Sequence, residues 1–196
     1  MAEGPHRTVP YRRDREGKTD YHYRRRLLKS GKPRLVARIS LRHVRAQVAL
    51  PGSEGDEMLA TAFSKELSDF GWEAYTGNTS AAYLVGLLCG YRAKEEGVDE
   101  AVLDIDKFVA SPQAKVFSVL KGAIDAGLYV PHDEGVLPSE ERCRGEHVAS
   151  YAEMLDSEGE EYESQFSNYL ENGLKPENLP EHFKEVKEAI ETQHGE

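Results

Sequence analysis

The chain has 196 residues, 39% of them hydrophobic and 31% charged, with a formal net charge of −10 at pH 7; that is enough apolar material for one principal core and excludes a wholly disordered polymer. No run approaches the ~20 apolar residues of a membrane span and no apolar leader opens the chain, so a cytoplasmic protein with no membrane partner is expected. Cys89 and Cys143 stand far apart without ligand or redox spacing, so neither a metal nor a cofactor is expected.

The net charge conceals a division. Residues 1–50 carry 14 Lys+Arg against 4 Asp+Glu, a balance of +10, while the rest of the chain balances at −20. Eleven of those 14 cations are Arg, whose planar guanidinium meets phosphate at two points and is weakly hydrated. The front of the chain thus seeks phosphate and the remainder seeks solvent. A carboxylate-rich surface of this kind also keeps the proteins of halophiles soluble. At about 1 M salt the Debye length is only ~3 Å, which leaves nucleic-acid binding to close contacts.

Residues 1–32 show no sustained periodicity before RRRLLKS and are expected to form an extended arm, whose first twenty residues span up to roughly 65 Å when stretched. Tyr11, Tyr21, His22 and Tyr23 lie among the arginines, where rings stack on bases while cations hold the backbone. RLVARIS and HVRAQVAL then read as two strands joined by a very short turn and closed by Pro51-Gly52. Val44, Ala46, Val48 and Leu50 fall on one face of the second strand, and His43, Arg45, Gln47 and Ala49 on the other. Arg34, Arg38, Arg42 and Arg45 are expected to line an exposed sheet face or edge and to touch nucleic acid. MLATAFSKEL follows as a third strand.

NTSAAYLVGLLCGYRAKEEG predicts a helix capped by Asn78 or Thr79 and stopped at Gly97. It is apolar on most faces and so buried, with Gly86 and Gly90 allowing close backbone approach. AVLDI is a short buried strand. Ser111-Pro112 supplies an N-cap and first-turn pair for a helix whose Val116, Phe117, Leu120, Ala123 and Ile124 form the buried stripe. LYV is a last short strand. This order of elements predicts an α/β fold, a mixed sheet with packed helices. Ser139 caps a further helix to about Leu155. Two amphipathic helical pieces follow, the second docking Phe183, Val186 and Ile190 on the body. The division expected is a basic arm over 1–32, an α/β body over 33–155 and an acidic helical extension over 156–196.

Glycine-rich phosphate loops, nucleophile elbows and zinc-protease motifs are absent from the sequence, which lowers the expectation of an enzyme or of a small-molecule substrate. One contrasting chemistry remains: Asp104 and Asp106 share a strand face, and two carboxylates at a strand end can hold Mg²⁺ for phosphodiester hydrolysis. As such aspartates are often structural, Asp104→Asn is expected to leave function intact.

The blocks PYRRDREGKTDYHYRRRLLKSGKPRLVARIS, HVRAQ, GWEAYTGNTSAAYLVGLL, AVLDI, KVFSVLKGAIDAGLYVPH and RGEHVASYAE, in this order over roughly residues 5–155, resemble the archaeal form of large-subunit ribosomal protein eighteen. The resemblance implies a ribonuclease-H-like sandwich without catalytic duty. It implies a protein that binds 5S rRNA and helps attach it to 23S rRNA in the central protuberance of the large ribosomal subunit, beside other ribosomal proteins. With the acidic composition, it points to a halophilic archaeon as source.

By position, the resemblance makes Arg12, Arg13, Arg15, Lys18, Thr19, Tyr21, Arg24, Arg26, Lys29, Ser30, Lys32 and Arg34 the RNA-contacting residues of the arm. Arg38, Ser40, Arg42 and Gln47 are their counterparts on the hairpin. Asn78 and Thr79, after Gly77, are expected either to receive a phosphate on free helix N–H groups or simply to cap the helix. The family typically has Ser-Asn-Lys at the hairpin turn where this chain has Ser40-Leu41-Arg42, and Asp106-Lys107 also departs from its pattern.

Overall fold

The computed structural model describes residues 9–155 and 159–195. Its single four-stranded sheet is built from β1 (Arg34–Ile39), β2 (Val44–Pro51), β3 (Asp56–Phe63) and β4 (Val102–Asp104), in the order β3-β2-β1-β4. The first three form an antiparallel meander and β4 pairs parallel to β1, with Leu35 opposite Leu103. The mixed sheet expected from the sequence is therefore present.

Alternation holds in β2 as far as Val48: Val44, Ala46 and Val48 are fully buried while Arg45 is exposed. A bulge between Val48 and Ala49 then shifts the register. The face assignment changes there, so Ala49 is fully buried and Leu50 only half-buried, opposite to the alternation read from sequence. Strand β3 is shorter than expected at its end, giving way to a 3-10 turn over Glu66–Phe70.

The helices are α1 (Arg12–Arg15), α2 (Tyr21–Leu28), α3 (Thr79–Glu95), α4 (Lys115–Asp125), α5 (Glu140–Arg144), α6 (Glu146–Leu155), α7 (Gly159–Glu171) and α8 (Leu179–His194). α3 is the centre of the core, buried on all sides from Thr79 to Gly90 between the sheet, α4 and α8. Leu84, Leu87 and Leu88 are each fully buried there, worth about 1.5–3 kcal/mol apiece in transfer from water. α8 lays Leu179, Phe183, Val186 and Ile190 on this core, as the amphipathic pattern required.

Three boundaries differ from the sequence reading. α4 begins at Lys115 with Ala114 as N-cap, not at Ser111-Pro112, because Gln113 takes a left-handed conformation (φ 62°) that no helix tolerates. LYV contributes only an isolated bridge, Tyr129 to Glu100. The helix capped by Ser139 ends at Arg144, where Gly145 turns left-handed (φ 87°) beneath Leu179, and α6 starts afresh.

The largest departure is in the arm. Residues 9–32 are not stretched out: α1, a loop turned by Gly17 (φ 67°) and α2 lie against the body. Residues 1–8, the remainder of the expected arm, lie outside the described residues, as do residues 156–158 at the head of the expected extension.

Candidate nucleic-acid interface

The arm is helical because its ends are capped and because the body offers acceptors. Asp20 caps α2, its Oδ1 accepting from the backbone N–H groups of His22 and Tyr23, each at 2.9 Å. These N–H groups, that of Tyr23 first, hold the Asp20 carboxyl below its ordinary range. α1 is a single turn closed through Gly17, and Arg13 Nε donates to Thr19 Oγ1 at 2.9 Å, bracing the loop from inside.

Beneath the arm runs a ladder of alternating charges on β1, β3 and β4. Arg34 is the centre rung: Nη1 meets Asp104 Oδ2 at 2.5 Å and Nη2 meets Asp56 Oδ2 at 2.6 Å. Asp56 Oδ2 also takes Arg24 Nη2 of α2 at 2.6 Å. Arg38 Nη2 lies 3.4 Å from Asp106 Oδ2 and 4.0 Å from Asp104 Oδ1. Burial works to raise the Asp56 carboxyl, but hydrogen bonds from Arg24 and Arg34 outweigh it and hold it below its ordinary value.

Further ties bind arm to body: Tyr23 hydroxyl donates to Leu103 O at 3.3 Å, Asp20 N–H to Asp106 Oδ1 at 3.2 Å, and Lys32 Nζ to Glu100 Oε2 at 2.8 Å. Lys107 Nζ stands 3.7 Å from Asp14 Oδ1. Burial raises the Tyr23 pKa, with the Asp104 charge adding to it. Tyr23 is thus an anchor, and the exposed aromatic pair of the arm is Tyr11 and the partly covered Tyr21, their centroids 4.9 Å apart.

Burial sorts the expected contact residues into two sets. Arg12, Arg13, Arg15, Lys18, Arg26 and Lys29 are solvent-facing, and Arg25, between two residues already expected, joins them. The signal for Arg25 was its place in the middle of an Arg triplet. Tyr21 stays half-exposed beside Tyr11, and Ser30 is exposed with its hydroxyl on Leu27 O at 2.6 Å. Lys32, Arg24 and Arg38 are engaged with body carboxylates and half-buried.

Four of the expected residues are buried or engaged within the chain. Arg34, at 1% exposure, is enclosed by Asp56 and Asp104. Thr19 is buried under Arg13. Asn78 is the cap of α3, its Oδ1 accepting from Ala81 N–H at 2.7 Å and its amide donating to the Tyr169 hydroxyl at 3.3 Å. Thr79 is buried, Lys115 Nζ closes on Gly77 O at 3.0 Å, and a Cβ on Gly77 would meet Leu41 O at 2.5 Å, so the capping contact is present at a tightly packed helix end.

The hairpin turn satisfies its own polar groups. Ser40 Oγ donates to His43 O at 2.9 Å and accepts from His43 N–H at 3.0 Å. The Tyr75 hydroxyl donates to Leu41 O and Thr76 Oγ1 to Arg42 O. Pinning both carbonyls inward turns the side chains outward: Leu41 is 88% exposed and Arg42 is exposed beside it. Arg45 rests over the Phe63 ring at 5.0 Å, while Gln47 is half-buried with its amide 3.4 Å from Thr61 Oγ1.

Asp104 and Asp106 do not form a metal pair. Guanidinium groups of Arg34 and Arg38 already neutralise them, Asp104 Oδ1 accepts from the Asp106 N–H at 3.0 Å, and Asp104 is 3% exposed. Among the described residues no group of three or more His, Cys, Asp or Glu is placed to hold a metal ion. Cys89 and Cys143 are both buried, and burial lifts their thiols to about 12 and about 11.

A family model described as ribosomal large subunit proteins 60S L5 and 50S L18 matches residues 6–101, which span the arm, the meander and α3. The chain is also 55% identical over 191 residues to "Large ribosomal subunit protein uL18" of Methanothermobacter thermautotrophicus, an alignment covering 97% of this chain and 98% of that protein. An alignment of this extent takes in nearly the whole of both chains, and the chain belongs to the uL18 family of large-subunit ribosomal proteins.

Proposed function

We propose that the chain is a cytoplasmic structural constituent of the large ribosomal subunit that binds 5S rRNA and helps attach it to 23S rRNA in the central protuberance, alongside other ribosomal proteins. It is not an enzyme. The observation that carries this reading is the sorting of cations by burial. One set is consumed by Asp56, Asp104 and Asp106, while Arg12, Arg13, Arg15, Lys18, Arg25, Arg26 and Lys29 face solvent on one arm of an otherwise acidic protein.

Exposed arginines supply phosphate contacts that set affinity and register, and the Tyr11–Tyr21 pair offers a stacking surface for unpaired bases. Arg42 and Leu41 at the hairpin tip form a second contact point, and the acidic body keeps other RNA away by repulsion. The carboxylate excess of the body fits a halophilic source.

Binding of full-length protein to 5S rRNA across a salt series tests the reading. Replacing Arg12, Arg13 and Arg15 together by Ala is expected to weaken binding and to flatten log K against log salt by ~0.7–0.9 for each phosphate no longer neutralised. A triple variant with the parent's affinity and slope would reject the arm as the site. Failure of the parent to enrich 5S rRNA over other transcripts would reject the ligand.

A further inference from the structure

Asp106 occupies an unusual place. It is a non-glycine residue with left-handed backbone (φ 52°), just beyond the end of β4, and its two carboxylate oxygens hold different elements. Oδ1 accepts the backbone N–H of Asp20, the residue that caps α2, and Oδ2 faces Arg38 of β1. Its own N–H is held by Asp104, which Arg34 locks into the sheet. A rigid chain of contacts therefore runs from the sheet centre through Asp104 and Asp106 to the N-terminus of the cationic helix.

Asp56 grips the same helix one turn on, through Arg24, while holding Arg34 with the same oxygen. The next residue along from Asp106, Lys107, faces Asp14 of α1. α2 itself has no fully buried residue, so apolar packing contributes little to holding it. A helix of eight residues with a composition this polar does not persist in water unaided.

We propose that Asp106, assisted by Asp56, is a positioning residue: it fixes the direction of the arm before RNA arrives, so that the outward cations meet the phosphate backbone already arranged. The inference rests on the arm's being the RNA-binding element. Fixing the arm in advance removes the ordering cost that a loose cationic tail meets on binding. Carboxylates in a phosphate-binding protein then act for RNA affinity, though they touch no RNA and repel it directly.

Asp106→Gly in the full-length protein tests this, since glycine keeps the left-handed backbone and removes the carboxylate. Asp106→Asn is the conservative companion, retaining an acceptor for the Asp20 N–H. The glycine variant is expected to raise amide hydrogen exchange in α2 at least ten-fold with α3 protection unchanged. It should weaken 5S rRNA binding about ten-fold, the scale of one charge-assisted hydrogen bond, with the salt slope unaltered because the same phosphates are met once the arm is placed. Asp106→Asn should recover part of both losses.

Unchanged exchange in α2 would show that Asp106 does not hold the arm. Faster exchange with full affinity, while the Arg12/Arg13/Arg15 variant loses affinity, would overturn positioning and leave the RNA reading standing. Full affinity in both variants would overturn the two together.

Discussion

Arg34 and Arg15 are the same side chain in opposite surroundings, the first 1% exposed between Asp56 and Asp104, the second open to solvent on α1. Truncating Arg34 strips the buried Asp104 of its close partner and leaves only Arg38, 4.0 Å from the other oxygen, a loss on the scale of about 3–5 kcal/mol for a broken buried pair. Arg34→Ala is therefore expected to lower Tm by on the order of 10 °C. Arg15→Ala should leave the melt within the ~0.5 kcal/mol of an ordinary surface change and act on RNA affinity alone. Thermal melts of the two variants, beside their RNA affinities, check the separation; equal melting of both would show that Arg34 is not the centre of the ladder. The same logic adds a stability cost to Asp104→Asn, whose expected effect on function is unchanged. With Arg34 Nη1 at 2.5 Å from its carboxylate, loss of the charge weakens a buried pair and lowers Tm.

Between elements, the closest approach is that of α3 and α4. A Cβ placed on Gly86 would lie 2.1 Å from Val119 O, and one on Gly122 would lie 2.0 Å from Tyr83 O, in both cases against rigid backbone. Gly86→Ala is expected to destabilise by at least the ~1–3 kcal/mol of an overpacked core, because the helices must separate to admit the methyl. Gly159→Ala, whose Cβ meets nothing within 4 Å, should be neutral or slightly stabilising through helix propensity. Denaturant unfolding compares the two, and a Gly86→Ala midpoint equal to that of the parent would contradict the close approach. The sequence spacing of Gly86 and Gly90 already indicated tight packing on α3, whereas Gly122, its counterpart on α4, carried no pattern that marked it.

At the scale of the whole molecule, the −20 balance of residues 51–196 lies close-packed on one fold, and self-repulsion of that kind weakens as salt shortens the Debye length from ~10 Å at 0.1 M to ~3 Å at 1 M. Tm is expected to rise between about 0.1 M and about 1 M KCl; a Tm that falls over this range would sink the halophilic reading. What the sequence by itself determined was whatever depends on local order along the chain. Periodicity placed the meander, α3 and the apolar face of α8, and composition placed cations at the front and carboxylates behind. The long ordered blocks carried the family. What only the tertiary structure decided was which charges are available. Arg24, Arg34 and Arg38 are indistinguishable from Arg15 and Arg26 in a string of letters, because a guanidinium's role depends on whether a carboxylate from a distant strand stands beside it. Asp56 and Asp104 reach Arg34 across 22 and 70 residues of chain, and Asp106 reaches Asp20 across 86. That pairing turns an arm expected to be extended into two short helices held on the body. Left-handed Gln113, which sets the start of α4, likewise meets a neighbour brought near by folding, its N–H donating to Val136 O at 2.9 Å.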